Sequence, residues 1–132
     1  MPSIDSNVLV RLLTRDDERQ FAVAMALAAD VESKEDALFV PLTAVLELEW
    51  VLRSRYDLDK PTVVDTLSDL LDTRELHFEN EAVVERALAL YRDARADFGE
   101  CLHVSAASLH AALPFFTFDQ SAAKLPGASL LR

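Results

Sequence analysis

Four acidic positions, Asp5, Glu47, Glu100 and Asp119, lie along this chain where a surface charge is hard to account for. Asp5 follows the opening Met1-Pro-Ser-Ile4, which has strand character. Glu47 is embedded in the apolar run from Leu42 to Leu52. Glu100, with Asp97 three residues before it, heads the segment Asp97-Phe-Gly-Glu-Cys-Leu-His103. Asp119 follows the apolar stretch Leu113-Pro-Phe-Phe-Thr-Phe118. Gathered into one pocket, such groups repel: at ~4 Å two like charges cost roughly 1 to 4 kcal/mol at surface-like dielectrics. A hard divalent cation removes that penalty, and Mg²⁺ takes oxygen ligands. The spacing therefore suggests a metal site assembled from the two ends and the middle of the chain.

Each acid also has a purely structural account. Asp5 or Ser6 can cap a helix that starts at the strand end. Glu47 shares a helix face with Ala44 and Val51, whereas Glu49 points elsewhere; its structural partners would be Arg11 or Arg53. Asp97 and Glu100 fit a capping box, with Asp97 the better cap and Glu100 the better ligand. Asp119 can cap a short helix over 120–124. Other reactive residues offer less. His77, His103 and His110 lack metalloprotease spacing, and no serine sits in a nucleophile elbow. Cys101, flanked by apolar residues, reads as a core thiol, and Trp50 as core or interface.

The elements that must position the acids alternate between strand and helix. Helices are expected over 7–13, over 21–29 with Thr14 as the cap before it, from Thr43 to about Tyr56, from Asp59 with Pro61 in the first turn, over 81–96, and over 97–110. Strands are expected at Ile4, 37–41, 75–78, 113–118 and 129–131. This alternation predicts an α/β fold with a parallel sheet covered on both faces, with ligands beyond the carboxyl ends of the strands. Asp5 and Asp119 both follow strands, so the architecture would bring them to one edge.

The 132 residues fit one domain, and half of them are hydrophobic. Two glycines and five prolines argue against disorder and against a turn-rich all-β fold. No apolar run reaches the ~18 residues of a membrane span. The N-terminus lacks a basic stretch followed by an apolar one, so no secretory signal is expected. One cysteine precludes an internal disulfide. A cytoplasmic location follows as the default. The formal charge of −10 counts against nucleic-acid binding, which normally shows a basic footprint, and favours basic partners.

Four segments, taken in order, resemble the PIN-domain family, and within it the VapC-type toxins of bacterial toxin–antitoxin pairs. They are Ile4-Asp-Ser-Asn-Val-Leu-Val-Arg11, Leu46-Glu-Leu-Glu-Trp-Val-Leu-Arg-Ser-Arg-Tyr56, Ala96-Asp-Phe-Gly-Glu-Cys-Leu-His103 and Thr117-Phe-Asp-Gln-Ser-Ala-Ala-Lys-Leu-Pro-Gly127. The resemblance covers nearly the whole chain. It implies one PIN-like domain over 1–132, a three-layer α/β/α sandwich with a short central parallel sheet, and Mg²⁺- or Mn²⁺-dependent cleavage of RNA. By it the first acid is Asp5 with Asn7 in support, the second Glu47, the third Glu100 and the fourth Asp119 with Thr117 nearby. The family commonly has aspartate where Glu100 stands, which leaves Asp97 as an alternative third ligand, and commonly threonine where Ser6 stands. Arg11, Arg53 and Arg55 are candidates for phosphate contacts. A cognate antitoxin with a basic segment, an RNA substrate and homodimerisation are also implied. Two rival readings are a PIN-like interaction module that binds no metal, and a phosphohydrolase using Asp5 as nucleophile. The second usually needs an aspartate where Asn7 stands.

Overall fold

The computed structural model describes residues 1–132, with six α-helices and four short strands paired only in parallel. The chain is α/β, as its alternating pattern predicts. It divides into two compact units, one of residues 1–58 and 69–79, the other of 59–68 and 80–132.

In the first unit, β1 (Leu38–Val40) pairs in parallel with β2 (Leu76–Phe78), Leu38 opposite Leu76 and Val40 opposite Phe78. All four are buried, as residues two apart on one strand face should be. The N-terminal segment lies along the other side of β1. Ile4 N–H donates to Phe39 O at 3.0 Å, and Phe39 N–H to Pro2 O at 2.8 Å. The expected first strand is thus a single bridge, Ser3 to Phe39, rather than a full strand. Asp5 then starts α1 (Ser6–Leu13), which buries Leu9 and Val10. Thr14 ends α1 instead of opening the next helix: its N–H and hydroxyl both return to Val10 O at 2.9 Å. Asp17 is the cap of α2 (Glu18–Ser33), accepting from Gln20 N–H at 3.0 Å.

The helix α3 (Leu42–Ser54) buries Ala44, Val45, Leu48, Glu49 and Leu52, a stripe at three- and four-residue spacing. Thr43 does not cap it. Pro41 occupies the cap position and has no side-chain donor or acceptor to offer, so Glu79 Oε1 accepts the Leu42 N–H at 2.8 Å. That carboxylate meets one of the orphan donors every helix start leaves open.

The helix α4 (Lys60–Leu71) begins in the second unit, and its residues from Asp69 onward count with the first. The Asp59 carboxylate accepts from Thr62 N–H at 3.0 Å at its start. In the second unit α5 (Glu81–Asp93) packs against α6 (Phe98–Leu109). Their buried residues include Val84, Ala87, Leu88 and Tyr91 on α5, and Phe98, Cys101, Leu102 and Val104 on α6. The strand β3 (Phe115–Thr117) pairs in parallel with β4 (Ala128–Leu130), connected through a 3₁₀ turn over Ala122–Lys124. Gly127 enters β4 at φ +90°, a conformation L side chains rarely adopt, and a Cβ there would meet Leu113 carbons at 2.9 Å.

The burial stripe of α3 sets an expectation for two leucines two residues apart. Leu48 is fully buried and Leu46 is 39% exposed. Leu48→Ala is expected to destabilise the fold by about 2–5 kcal/mol, and Leu46→Ala by no more than about 0.5 kcal/mol. Urea unfolding of the two variants checks this.

Candidate metal centre

The first unit carries Asp5 and Glu47. Asp5 has extended backbone and caps α1, its Oδ1 accepting from Val8 N–H at 3.1 Å. It is exposed, so the capping account of this residue is realised, and Oδ2 stays uncommitted. Glu47 is exposed too, and Oε2 accepts from the hydroxyl of Ser6 at 3.2 Å. Ser6 is Asp5's neighbour in the chain and is buried, so the start of α1 and the middle of α3 bring the first two acids to one locality. A threonine hydroxyl would serve as the same donor, and the serine here preserves the contact.

Glu49, two residues on, is the buried carboxylate of α3 at 2% exposure. Arg53, one turn later, donates to it through Nε at 2.8 Å and through the fork's other nitrogen at 3.3 Å. Arg53, expected as a phosphate contact or a partner of Glu47, is therefore engaged with Glu49. Arg11 is also engaged, donating to Asp16 Oδ1 at 2.6 Å. Arg55 stands exposed at the end of α3 with no carboxylate partner.

Asp16 gathers three donors: Arg11, the Thr14 hydroxyl at 2.8 Å and the Tyr56 hydroxyl at 2.8 Å. The Tyr56 and then the Thr14 hydrogen bonds hold its carboxyl below the ordinary carboxylate range, with Arg11 adding less. Arg11 is fixed in this way along a groove of about 380 Å³. From α1 the groove is lined by Asp5, Asn7, Val8 and Arg11, and from α2 by Arg19, Gln20, Val23 and Leu27. Arg19 was not among the sequence candidates. Its signal was its place in the first turn of an acid-capped helix, which says nothing of the groove it would face.

The second unit carries the other acids. Asp97 caps α6, its Oδ1 accepting from Glu100 N–H at 2.8 Å. Asp97 is exposed and Glu100 half-buried in the first turn. Cys101, directly after Glu100, is buried, and its thiol is pushed up to about 11, first by burial and then by the Asp97 carboxylate. It is a core thiol, not a nucleophile. Asp119 Oδ1 accepts from Ala122 N–H at 2.7 Å, and Asp119 N–H donates to the Thr117 hydroxyl at 3.0 Å. Thr117 thus fixes the backbone that presents Asp119. Phe116 and Phe118 flank Thr117, 58% and 78% exposed, so the expected alternation along this strand is present with the aromatic face outward. His103 stacks on Phe115 with ring centroids 6.0 Å apart.

Asp5, Asp97 and Asp119 therefore share one geometry. Each spends Oδ1 on the third peptide N–H after it and keeps Oδ2. The donors are all hard oxygen, the chemistry Mg²⁺ or Mn²⁺ asks for. No group of three or more His, Cys, Asp or Glu side chains is drawn together closely enough to hold a metal ion.

The PIN domain family model matches residues 3–128, and the chain belongs to that family. It is also similar to a VapC ribonuclease of Aquifex aeolicus (strain VF5), 22% identical over 102 residues that cover 77% of this chain and 75% of that protein. No helix is long and apolar enough to cross a membrane.

Two predictions follow from these contacts. Asparagine caps as well as aspartate, so Asp97→Asn should leave stability nearly unchanged while Asp97→Ala loses about 1 kcal/mol. Chemical denaturation separates the cap from any role of the charge. At Asp16 the folded carboxyl titrates lower than the unfolded one. Its contribution is complete above about pH 4, the ordinary carboxyl value, and is lost as pH falls through the lower folded value. Tyr56→Phe removes the largest cause of that lowering. Its destabilisation should be full at pH 6 and shrink below about pH 4, as read by unfolding midpoints across that range.

Proposed function

We propose that the chain, a single domain over 1–132, is a metal-dependent endoribonuclease and the toxin of a toxin–antitoxin pair. One observation carries the reading: three aspartates of the expected set hold the same half-committed capping geometry, each with one oxygen free for a cation. Membership of the PIN domain family and the likeness to a VapC ribonuclease support it.

In this reading Asp5, Glu47, Glu100 and Asp119 hold Mg²⁺ or Mn²⁺ through carboxylate oxygens, with Asp97 as the alternative to Glu100. When bound, the ion supplies the Lewis acidity that makes water a nucleophile near neutral pH and offsets charge on the phosphate. The protein's own part is positional. The Ser6 hydroxyl orients Glu47, Thr117 holds the Asp119 backbone, and Asn7 lines the groove beside Asp5. A carboxylate of the set would be the group to accept a proton from water. Arg11 and Arg19 border Asp5; Arg19 would meet the RNA backbone there, and Arg11 would do so by exchanging its Asp16 partner. Arg55 is a further phosphate contact, and Arg53 serves through Glu49 instead. A basic antitoxin segment would find a chain of charge −10 attractive. Homodimerisation and a cytoplasmic location complete the proposal.

The alternative is a PIN-like interaction module that keeps the fold and binds no metal. RNA cleavage separates the two. Purified protein with Mn²⁺ should cut RNA, EDTA should abolish cutting, and Asp5→Ala should slow it at least about 100-fold. Asp17→Ala removes a cap of the same geometry outside the site and should cut like the wild type. Equal cutting in every sample would reveal contamination and leave the module reading standing.

A further inference from the structure

Lys60, the first residue of α4, spends its ammonium on backbone. Nζ donates to the carbonyl oxygens of Tyr91 at 3.0 Å and Ala94 at 2.6 Å, and lies 4.7 Å from the centroid of the Tyr91 ring. Ala94 is the C-cap of α5, and Tyr91 belongs to its last turn. The last carbonyls of a helix have no partner within it and carry its partial negative charge. A lysine brought in from another helix answers both needs, and the aromatic face adds a cation–π contact.

What lies just beyond that cap gives the contact its consequence. Three residues after Ala94 stands Asp97, the cap of α6. The Tyr91 ring packs on Phe98, the fully buried first residue of α6, with centroids 5.4 Å apart and planes tilted by 49°. Lys60 thus touches the end of α5 at two carbonyls and one ring, and that ring rests on the start of α6. Ala96, between these points, is itself buried.

We propose that Lys60 is a positioning residue: by capping α5 from α4 it fixes the turn into α6 and so the placement of Asp97 and Glu100. This rests on the reading of that pair as cation ligands. Its charge also reaches the first turn of α6, where it opposes the upward push of burial and of both carboxylates on the Cys101 thiol.

The test uses the full chain with Lys60→Met, which keeps the aliphatic stem and removes the charge, and Lys60→Arg, which keeps the charge. The control is Arg92→Ala, which breaks a different, exposed link between α4 and α5, the Arg92–Asp65 pair at 3.1 Å. Two quantities are read. Amide hydrogen exchange at Glu100 and Cys101, both held by Asp97, is measured in metal-free protein. Affinity for Mn²⁺ alone is measured by calorimetry. Lys60→Met should speed exchange at those two amides and weaken Mn²⁺ binding about tenfold, the loss typical of removing an outer support of a metal site. Lys60→Arg should restore most of both, and Arg92→Ala should change neither. Unchanged exchange at Glu100 and Cys101 in Lys60→Met, or an equal effect from Arg92→Ala, overturns the proposal. Should Lys60→Met not fold, Lys60→Gln is read in its place with the same two outcomes. If the wild type takes up no Mn²⁺, the ligand reading of the pair fails, and the exchange measurement still decides whether Lys60 sets the turn.

Discussion

Three of the acids that make this chain chemically interesting are held by peptide N–H groups at the start of helical segments. Asp5, Asp97 and Asp119 each accept from the residue three positions later. That hydrogen bond does two things at once. It satisfies an orphan donor of the helix start, and it locks the carboxylate's orientation without using both of its oxygens. A site built this way needs no dedicated scaffold, because the positions of its ligands are the positions where helical segments begin. Two of these beginnings follow strand segments, at Asp5 after Ile4 and at Asp119 after β3, and the third, at Asp97, follows α5. If these carboxylates hold a cation as proposed, stability and chemistry share the same atoms, and a substitution to alanine removes a cap along with a ligand.

The order of the helices was legible because their apolar residues repeat at helical spacing and their cores obey it, whereas their ends were not: the helix expected over 21–29 spans Glu18–Ser33. The stripe of α3, from Ala44 through Val45 and Leu48 to Leu52, is one case. Cap identities were legible only where the acid sits within three residues of its donor. Thr14 looked like a cap for α2 because threonine precedes a run of acids, but its hydroxyl and N–H had a nearer use on Val10 O, and Asp17 took the role. Thr43 likewise lost its place to Glu79, whose side chain arrives from 37 residues away. No local pattern announces a cap supplied by tertiary structure.

The two glutamates of α3 show the same limit at the site itself. Helical phase put Glu47 on a face with Ala44 and Val51, and made it the unusual carboxylate. The buried stripe instead takes in Glu49, one turn after Val45, and leaves Glu47 exposed beside Ser6. A legible signal existed: Glu49 precedes Arg53 by four residues, the favourable order for a helical ion pair. The groove beside Asp5 had no such signal. It depends on where α2 lies along α1, and that packing is set by side chains distributed over both helices.

The charge balance then bears on how a nucleic acid could be held at all. The chain has 23 acidic and 13 basic residues, and several of the basic ones are already spent. Arg11, Lys34, Arg53 and Arg92 sit in ion pairs, and Lys60 is on backbone carbonyls. A binder that meets phosphates with many free lysines and arginines releases counterions in proportion and loses affinity steeply with monovalent salt. The eight that remain are far outnumbered by the acids, so this term is opposed by the net negative charge. In the proposed reading, the charge that offsets an RNA phosphate would come chiefly from cations gathered by the carboxylates, since a bound divalent ion is the largest charge in such a site and inverts its local potential. An acidic chain is then no obstacle to the chemistry. On that reading the acids that make it acidic would be the means of recruiting the positive charge it lacks.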